Sequence, residues 1–142
     1  MKTAFVGEFG AGKPVVALLA EFDALPGLAQ EAVPRQSPRP RAAAGHGCGH
    51  NLFGAASVGA ALAVQKAISD RSLKGTVRVY GCPAEEGGGG KVYMVRAGLF
   101  ADVDAALHWH PSTSNDAGAS GCLAVVRDRK STRLNSSHTV IS

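Results

Sequence analysis

The chain has 142 residues, enough for one modest domain, and its 45% hydrophobic and 18% charged content is that of a globular chain able to build a core. Its formal charge of +4 comes largely from Arg35, Arg39 and Arg41 in a Pro-rich stretch and from Arg127, Arg129, Lys130 and Arg133 near the end. Neither group is interleaved with aromatics, which argues against a nucleic-acid partner.

No run approaches the roughly 18 apolar residues of a membrane-crossing helix, and the start lacks a signal-peptide pattern, so no membrane partner is expected. The cysteine count is odd, at three, and Cys48 stands between two histidines. This suits a reducing, cytoplasmic setting and a thiolate ligand better than a disulfide framework.

In chain order, Gly7 to Pro14 has the spacing of a phosphate-binding loop up to Lys13. However, Pro14 replaces the Ser or Thr, and a strand follows where that motif needs a helix. It reads as a tight turn into a strand from Pro14 to Ala20, a short apolar run. Glu21 to Gly27 ends that strand in a Pro-Gly turn, and residues 29 to 44 read as a loop.

Asn51 stands in an N-cap position before an Ala-rich helix from Leu52 to Ala67. Thr76 to Tyr80 alternates as a strand. Gly87 to Gly90 form a turn, Lys91 to Ala97 a helix ended by Gly98, and Ala105 to Trp109 a third strand stopped by Pro111. Strand, helix, strand, helix, strand predicts an α/β unit with a mainly parallel sheet and flanking helices.

The tail from Asp128 to Ser142 shows no hydrophobic periodicity. Asp128 to His138 reads as one translation frame of a widely used sequencing-adapter oligonucleotide. The expectation is a partial catalytic domain over 1–127 and a non-native tail over 128–142. Without that tail, three basic residues and one acidic residue are lost and the net charge falls to +2.

Three groups of residues carry chemistry. His46, Cys48 and His50 alternate with glycines that let the backbone fold tightly enough for side chains to converge. Thiolate and imidazole suit zinc and similar metals, though a Gly-rich turn with incidental polar residues has the same look. Glu85-Glu86 follows a strand directly, where open α/β sheets place ligands. Its adjacent carboxylates point different ways, so one can bind metal while the other faces water; a solvated turn is the plainer alternative. His108 and His110 lie two apart at the end of the next predicted strand and would face one side, though one of them could be a surface or satisfied core residue. All three groups fall at the carboxyl ends of predicted strands.

Ala20 to Gly27, Gly45 to Leu52, Pro83 to Gly87 and Leu107 to Pro111 occur in an order and at separations that resemble the M-twenty family of metallopeptidases. The resemblance is to its amidohydrolase branch, which includes indole-acetyl-amino-acid hydrolases, and it runs from about Gly12 to about Cys122. It implies a zinc-peptidase-like catalytic domain with two divalent metal ions, zinc or manganese. The implied reaction is hydrolysis of the amide bond of an N-acyl amino acid such as aminobenzoyl-glutamate, a small-molecule substrate.

Matched residue by residue, Cys48, His50 and Glu86 fall on metal ligands and Glu85 on the general base. The next histidine ligand is His110 or His108, with the alignment leaning to His110. Asp23 falls beside the site, behind the ligands rather than among them. The family's members are much longer and form homo- or hetero-oligomers, and they bring a further histidine ligand from a later segment. His138 lies in the tail and is discounted, so the centre is expected to be incomplete and this chain inactive. The competing expectation is a small single-zinc structural module without catalysis.

Overall fold

The computed structural model describes residues 2–39 and 44–114, together with residues 125–127 and 134–136. Along the chain these form β1 (Phe5–Ala11), β2 (Val15–Glu21), β3 (Leu25–Pro26), β4 (Ala44–Gly45), α1 (His50–Ser69), β5 (Gly75–Cys82), α2 (Gly90–Arg96), β6 (Ala105–Leu107), β7 (Val125–Arg127) and β8 (Leu134–Ser136). Four of the strands make the main sheet, in the order β1-β5-β2-β6. β2 runs parallel to both β5 and β6, while β1 is antiparallel to β5. The sheet is therefore mixed and mainly parallel, as the alternation of elements predicts.

β2 is buried along nearly its whole length, which fits a continuous apolar strand between two parallel neighbours. The core gathers Ala17 and Leu19 of β2, Tyr80 and Cys82 of β5, Phe53 of α1, Met94 of α2 and Ala106 of β6. Burying the Phe53 ring, which is fully inaccessible, contributes about 2–3 kcal/mol. The Ser57 hydroxyl donates to the Leu19 carbonyl at 2.6 Å and ties α1 to β2. Gly54 lets the two approach closely, since a Cβ there would stand 3.1 Å from the Glu21 carbonyl oxygen.

Four expectations need correction. α1 begins at His50, not Leu52, and its cap is Gly49 rather than Asn51. Gly49 sits in the left-handed region at φ 78°, and its carbonyl accepts from Leu52 and Phe53, so the helix is nucleated two residues early. β6 stops at Leu107, two residues before the expected end at Trp109, and its pairing with β2 ends there. The stretch before Lys13 forms β1, a seven-residue strand exposed throughout.

The fourth concerns α1 itself, which at twenty residues is long and apolar enough, by length and composition alone, to cross a membrane. Its six alanines supply much of that apolar character. Here the helix packs Phe53 and Ser57 inward and leaves Leu52, Val58 and Leu62 exposed. Of the tail expected to be non-native, only Leu134–Ser136 is described, paired antiparallel with Val125–Arg127; the rest lies outside the described residues.

Candidate metal centre

Because β2, β5 and β6 are parallel, their carboxyl ends share one edge of the sheet. Glu21 ends β2 and Asp23 follows it; Glu85 and Glu86 follow β5; His108 and His110 follow β6. α1 starts at the same edge and delivers His50 from its first residue, with Cys48 just before it. This is the carboxyl-end crevice where open α/β sheets bind ligands.

His50 is the hub. It is buried, and its Nδ1 donates to Asp23 Oδ1 at 2.9 Å. The other Asp23 oxygen accepts from the Glu86 backbone N–H at 2.9 Å. One carboxylate thus fixes both the imidazole ring and the loop after β5, the supporting role that carboxylates play behind metal-binding histidines. The ring's Nε2 then faces the cluster, 3.4 Å from Glu21 Oε2 and 3.7 Å from Glu86 Oε1. Cys48 Sγ lies 3.2 Å from His110 Nε2.

Two overlapping sets of donors result. Cys48, His50 and His110 bring their ligand atoms within 4.8 Å of one another, and so do Glu21, His50 and Glu85. Sulfur, imidazole nitrogen and carboxylate oxygen together suit zinc and related divalent ions. Glu21 Oε2 and His50 Nε2 are buried and have no hydrogen-bond partner among the described residues. Buried polar atoms normally find partners, so a bound cation fits this donor set.

Burial pushes the Cys48 thiol up to about 11, with the neighbouring Glu86 and Glu85 carboxylates adding to the effect. A cation that takes this sulfur as thiolate therefore competes with a proton. Phe53 lines the cluster's apolar side, its ring centroid 6.2 Å from that of His50 and 4.8 Å from that of His108. His108 Nε2 lies 3.4 Å from Glu21 Oε1.

Of the residues singled out from the sequence, Cys48, His50, Glu85, Glu86, His110 and Asp23 meet at this edge, and His108 adjoins it through Glu21. His46 is exposed and belongs to neither donor set. Sequence reasoning missed Glu21 and Lys91. Glu21 is fully inaccessible and its Oε1 accepts from Lys91 Nζ. Burial alone would raise its pKa, but the hydrogen bond with His108 and the charge of Lys91 outweigh this and hold it below the usual carboxylate range. Both had a signal: Glu21 is a charge at the end of an otherwise apolar strand, and Lys91 sits in the first turn of α2, the wrong end of the helix dipole for a cation.

Residues 17–135 match the model of "Peptidase family M20/M25/M40". The chain belongs to that family. Its family relatives include one of the subunits of the p-aminobenzoyl-glutamate hydrolase of Escherichia coli (strain K12), 58% identical over 76% of this chain and 23% of that protein. The Xaa-Arg dipeptidase of Mus musculus is 39% identical over 72% of this chain and 20% of its own length. Among solved structures, Bacillus subtilis YXEP, described as a dinuclear metal binding peptidase from the M20 family, superimposes with a TM-score of 0.65 at 33% identity, over 78% of this chain and 30% of that one. The chain spans between about a fifth and a third of the length of the curated relatives it matches. The fold is thus that of a metallopeptidase and amidohydrolase family, and the sheet's carboxyl edge is where its metal chemistry is to be sought.

Proposed function

We propose that this chain carries part of the centre of a metal-dependent hydrolase that cleaves the amide bond of an N-acyl amino acid, with p-aminobenzoyl-glutamate the first substrate to try. The observation that carries the reading is the convergence of Cys48, His50 and His110 within 4.8 Å at the carboxyl edge of a parallel sheet. In this reading Cys48, His50, Glu86 and His110 hold the cation, for which zinc and manganese are the ions to test. The contact between Cys48 and His110 favours His110 over His108 as the histidine beside the sulfur.

A divalent cation held there supplies Lewis acidity, polarising the scissile carbonyl and acidifying water. Glu85 accepts the proton of the attacking water and passes it to the departing amine nitrogen as the C–N bond breaks. Asp23 keeps His50 Nδ1 protonated, which leaves Nε2 as the donor atom. Phe53 shields one side of the cluster from water. A single-zinc structural module fits less well, because such sites are closed by Cys and His, whereas Glu21, Glu85 and Glu86 all crowd this one. The Escherichia coli relative is named as one subunit of its hydrolase, which supports an assembly with a second chain or copy.

The test is turnover of p-aminobenzoyl-glutamate by the protein expressed with its flanking coding sequence, after loading with zinc or manganese. Glu85→Gln should lower kcat by about 10²- to 10⁴-fold, the range for a lost general base, while metal content stays constant. Undiminished turnover in that variant removes Glu85 from the proton-transfer role, and no turnover of any N-acyl amino acid by the loaded parent removes the substrate assignment.

A further inference from the structure

Glu21 is not needed to explain the fold, and the sequence motifs give it no task. It is nevertheless the most deeply buried charge at the site, with no accessible surface. Its two oxygens are used differently. Oε1 accepts from Lys91 Nζ and lies 3.4 Å from His108 Nε2. Oε2 makes no hydrogen bond and faces His50 Nε2, which makes none either, at 3.4 Å.

When Nδ1 donates to Asp23 and Nε2 carries no proton, the His50 ring presents a lone pair at Nε2. A lone pair facing a carboxylate oxygen in a buried setting is repulsive unless positive charge lies between them. The spacing is also informative. Two donors bound at about 2.1 Å to one tetrahedral ion stand roughly 3.4 Å apart, longer than the distances usual for N–H···O hydrogen bonds.

We infer that Glu21 supplies a carboxylate oxygen, Oε2, to the same divalent cation that His50 binds through Nε2, and that Lys91 is the positioning residue that holds the carboxylate by its other oxygen. The inference rests on the metal reading of this edge but not on the substrate assigned above. Lys91 has a second consequence. With Lys91 in place, the Glu21 charge is compensated even without a cation; without Lys91, the cation would be its main compensation, and an unpaired buried charge is costly.

The experiment is equilibrium binding of Zn2+ and Mn2+ by the chain and its variants, with bound metal counted by elemental analysis and Co2+ absorption recording the ligand set. Glu21→Gln keeps the side chain's shape and should weaken binding by at least about 10-fold, the lower end for loss of a supporting group, with an altered Co2+ spectrum. Lys91→Met should lower the Tm of the metal-free protein and enlarge the rise in Tm on adding Zn2+, with Lys91→Arg restoring part of the difference.

If Glu21 instead stabilised a protonated His50, Glu21→Gln would bind metal equally well or more tightly, and that result overturns the inference while leaving the hydrolase reading intact. Failure of the unmutated chain to bind either ion overturns the inference, and the hydrolase reading falls with it if the protein expressed with its flanking coding sequence also binds neither. Normal metal binding without hydrolysis of any N-acyl amino acid removes only the substrate reading. Thermal unfolding of each variant in chelator shows whether it is folded, and should Glu21→Gln not fold, Glu21→Asp, which withdraws the oxygen by one methylene, answers the same question.

Discussion

At the amino-terminal ends of β2 and β6, Lys13, Asp102 and Asp104 stand in the open, whereas at the carboxyl ends of the same strands Glu21, His50 and His108 are almost wholly buried. In the open cluster the polar groups are mutually satisfied. Lys13 Nζ donates to Asp104 Oδ1 at 2.9 Å and to the Asp102 carbonyl at 2.8 Å, and the Val15 N–H donates to Asp104 Oδ2 at 2.6 Å. Arg78 donates to both Asp102 oxygens. The buried cluster has comparable charge but leaves Glu21 Oε2 and His50 Nε2 without hydrogen bonds. Charge density by itself therefore marks no site in this molecule. Buried donor atoms without partners do, because an exposed pair is screened and worth little while a buried orphan is costly.

The comparison breaks first at His50, which belongs to both sets of donor atoms. His50→Ala should weaken Zn2+ binding by more than about 100-fold, beyond the range for losing only a supporting group. Calorimetric titration checks this, and binding close to that of the unmutated chain would mean that the convergence at the carboxyl edge is not a metal centre.

A smaller effect is expected at the opposite end. The Asp104 carboxyl is held below the usual carboxylate range, first by the Val15 N–H and then by Lys13. Its contribution is complete above the ordinary carboxylate pKa and is lost as pH falls through the lowered value. Asp104→Asn should cost a few degrees of Tm at most at neutral pH. The gap should close as the solution is acidified below the ordinary carboxylate range, with metal affinity unchanged throughout. A Tm gap that stays constant down to strongly acid pH would show that the Asp104 charge is not what stabilises this end.

Much of this contrast is legible in the sequence, for identifiable reasons. β2 and β5 are apolar runs bounded by turn residues, and the alternation of strands and helices carries the mainly parallel sheet. Cys48 and His50 in their glycine loop, Glu85 and Glu86 after β5, and His108 and His110 after β6 are all placed by those strands at one edge. β1 is hidden because Gly7 and Gly10 interrupt its apolar residues and no face of it is buried, so neither period nor burial marks it. The start of α1 is misread because a left-handed glycine, rather than a side-chain oxygen, caps it. Glu21 and Lys91 escape because each carries only a weak local mark, a charge closing an apolar strand and a cation in the first turn of a helix; only the fold pairs these positions, seventy residues apart.

The smallest effect tests the same rule on a pair far from either cluster. Lys66 Nζ lies 2.9 Å from Asp70 Oδ2 across one turn at the end of α1, with both side chains mostly exposed. The lysine's position in the last turn suits the helix dipole. The order, with the base before the acid, is the weaker one for pairs four residues apart. Screening and side-chain entropy oppose what remains, so Lys66→Ala should cost about 0.3 kcal/mol or less, a Tm change on the order of 1 °C for a chain of this size. Added salt on the order of 1 M should erase even that. A loss several times larger, persisting in salt, would mean that exposed pairs on this fold do carry stability, and the inference from unpartnered buried atoms to the metal centre would lose its contrast.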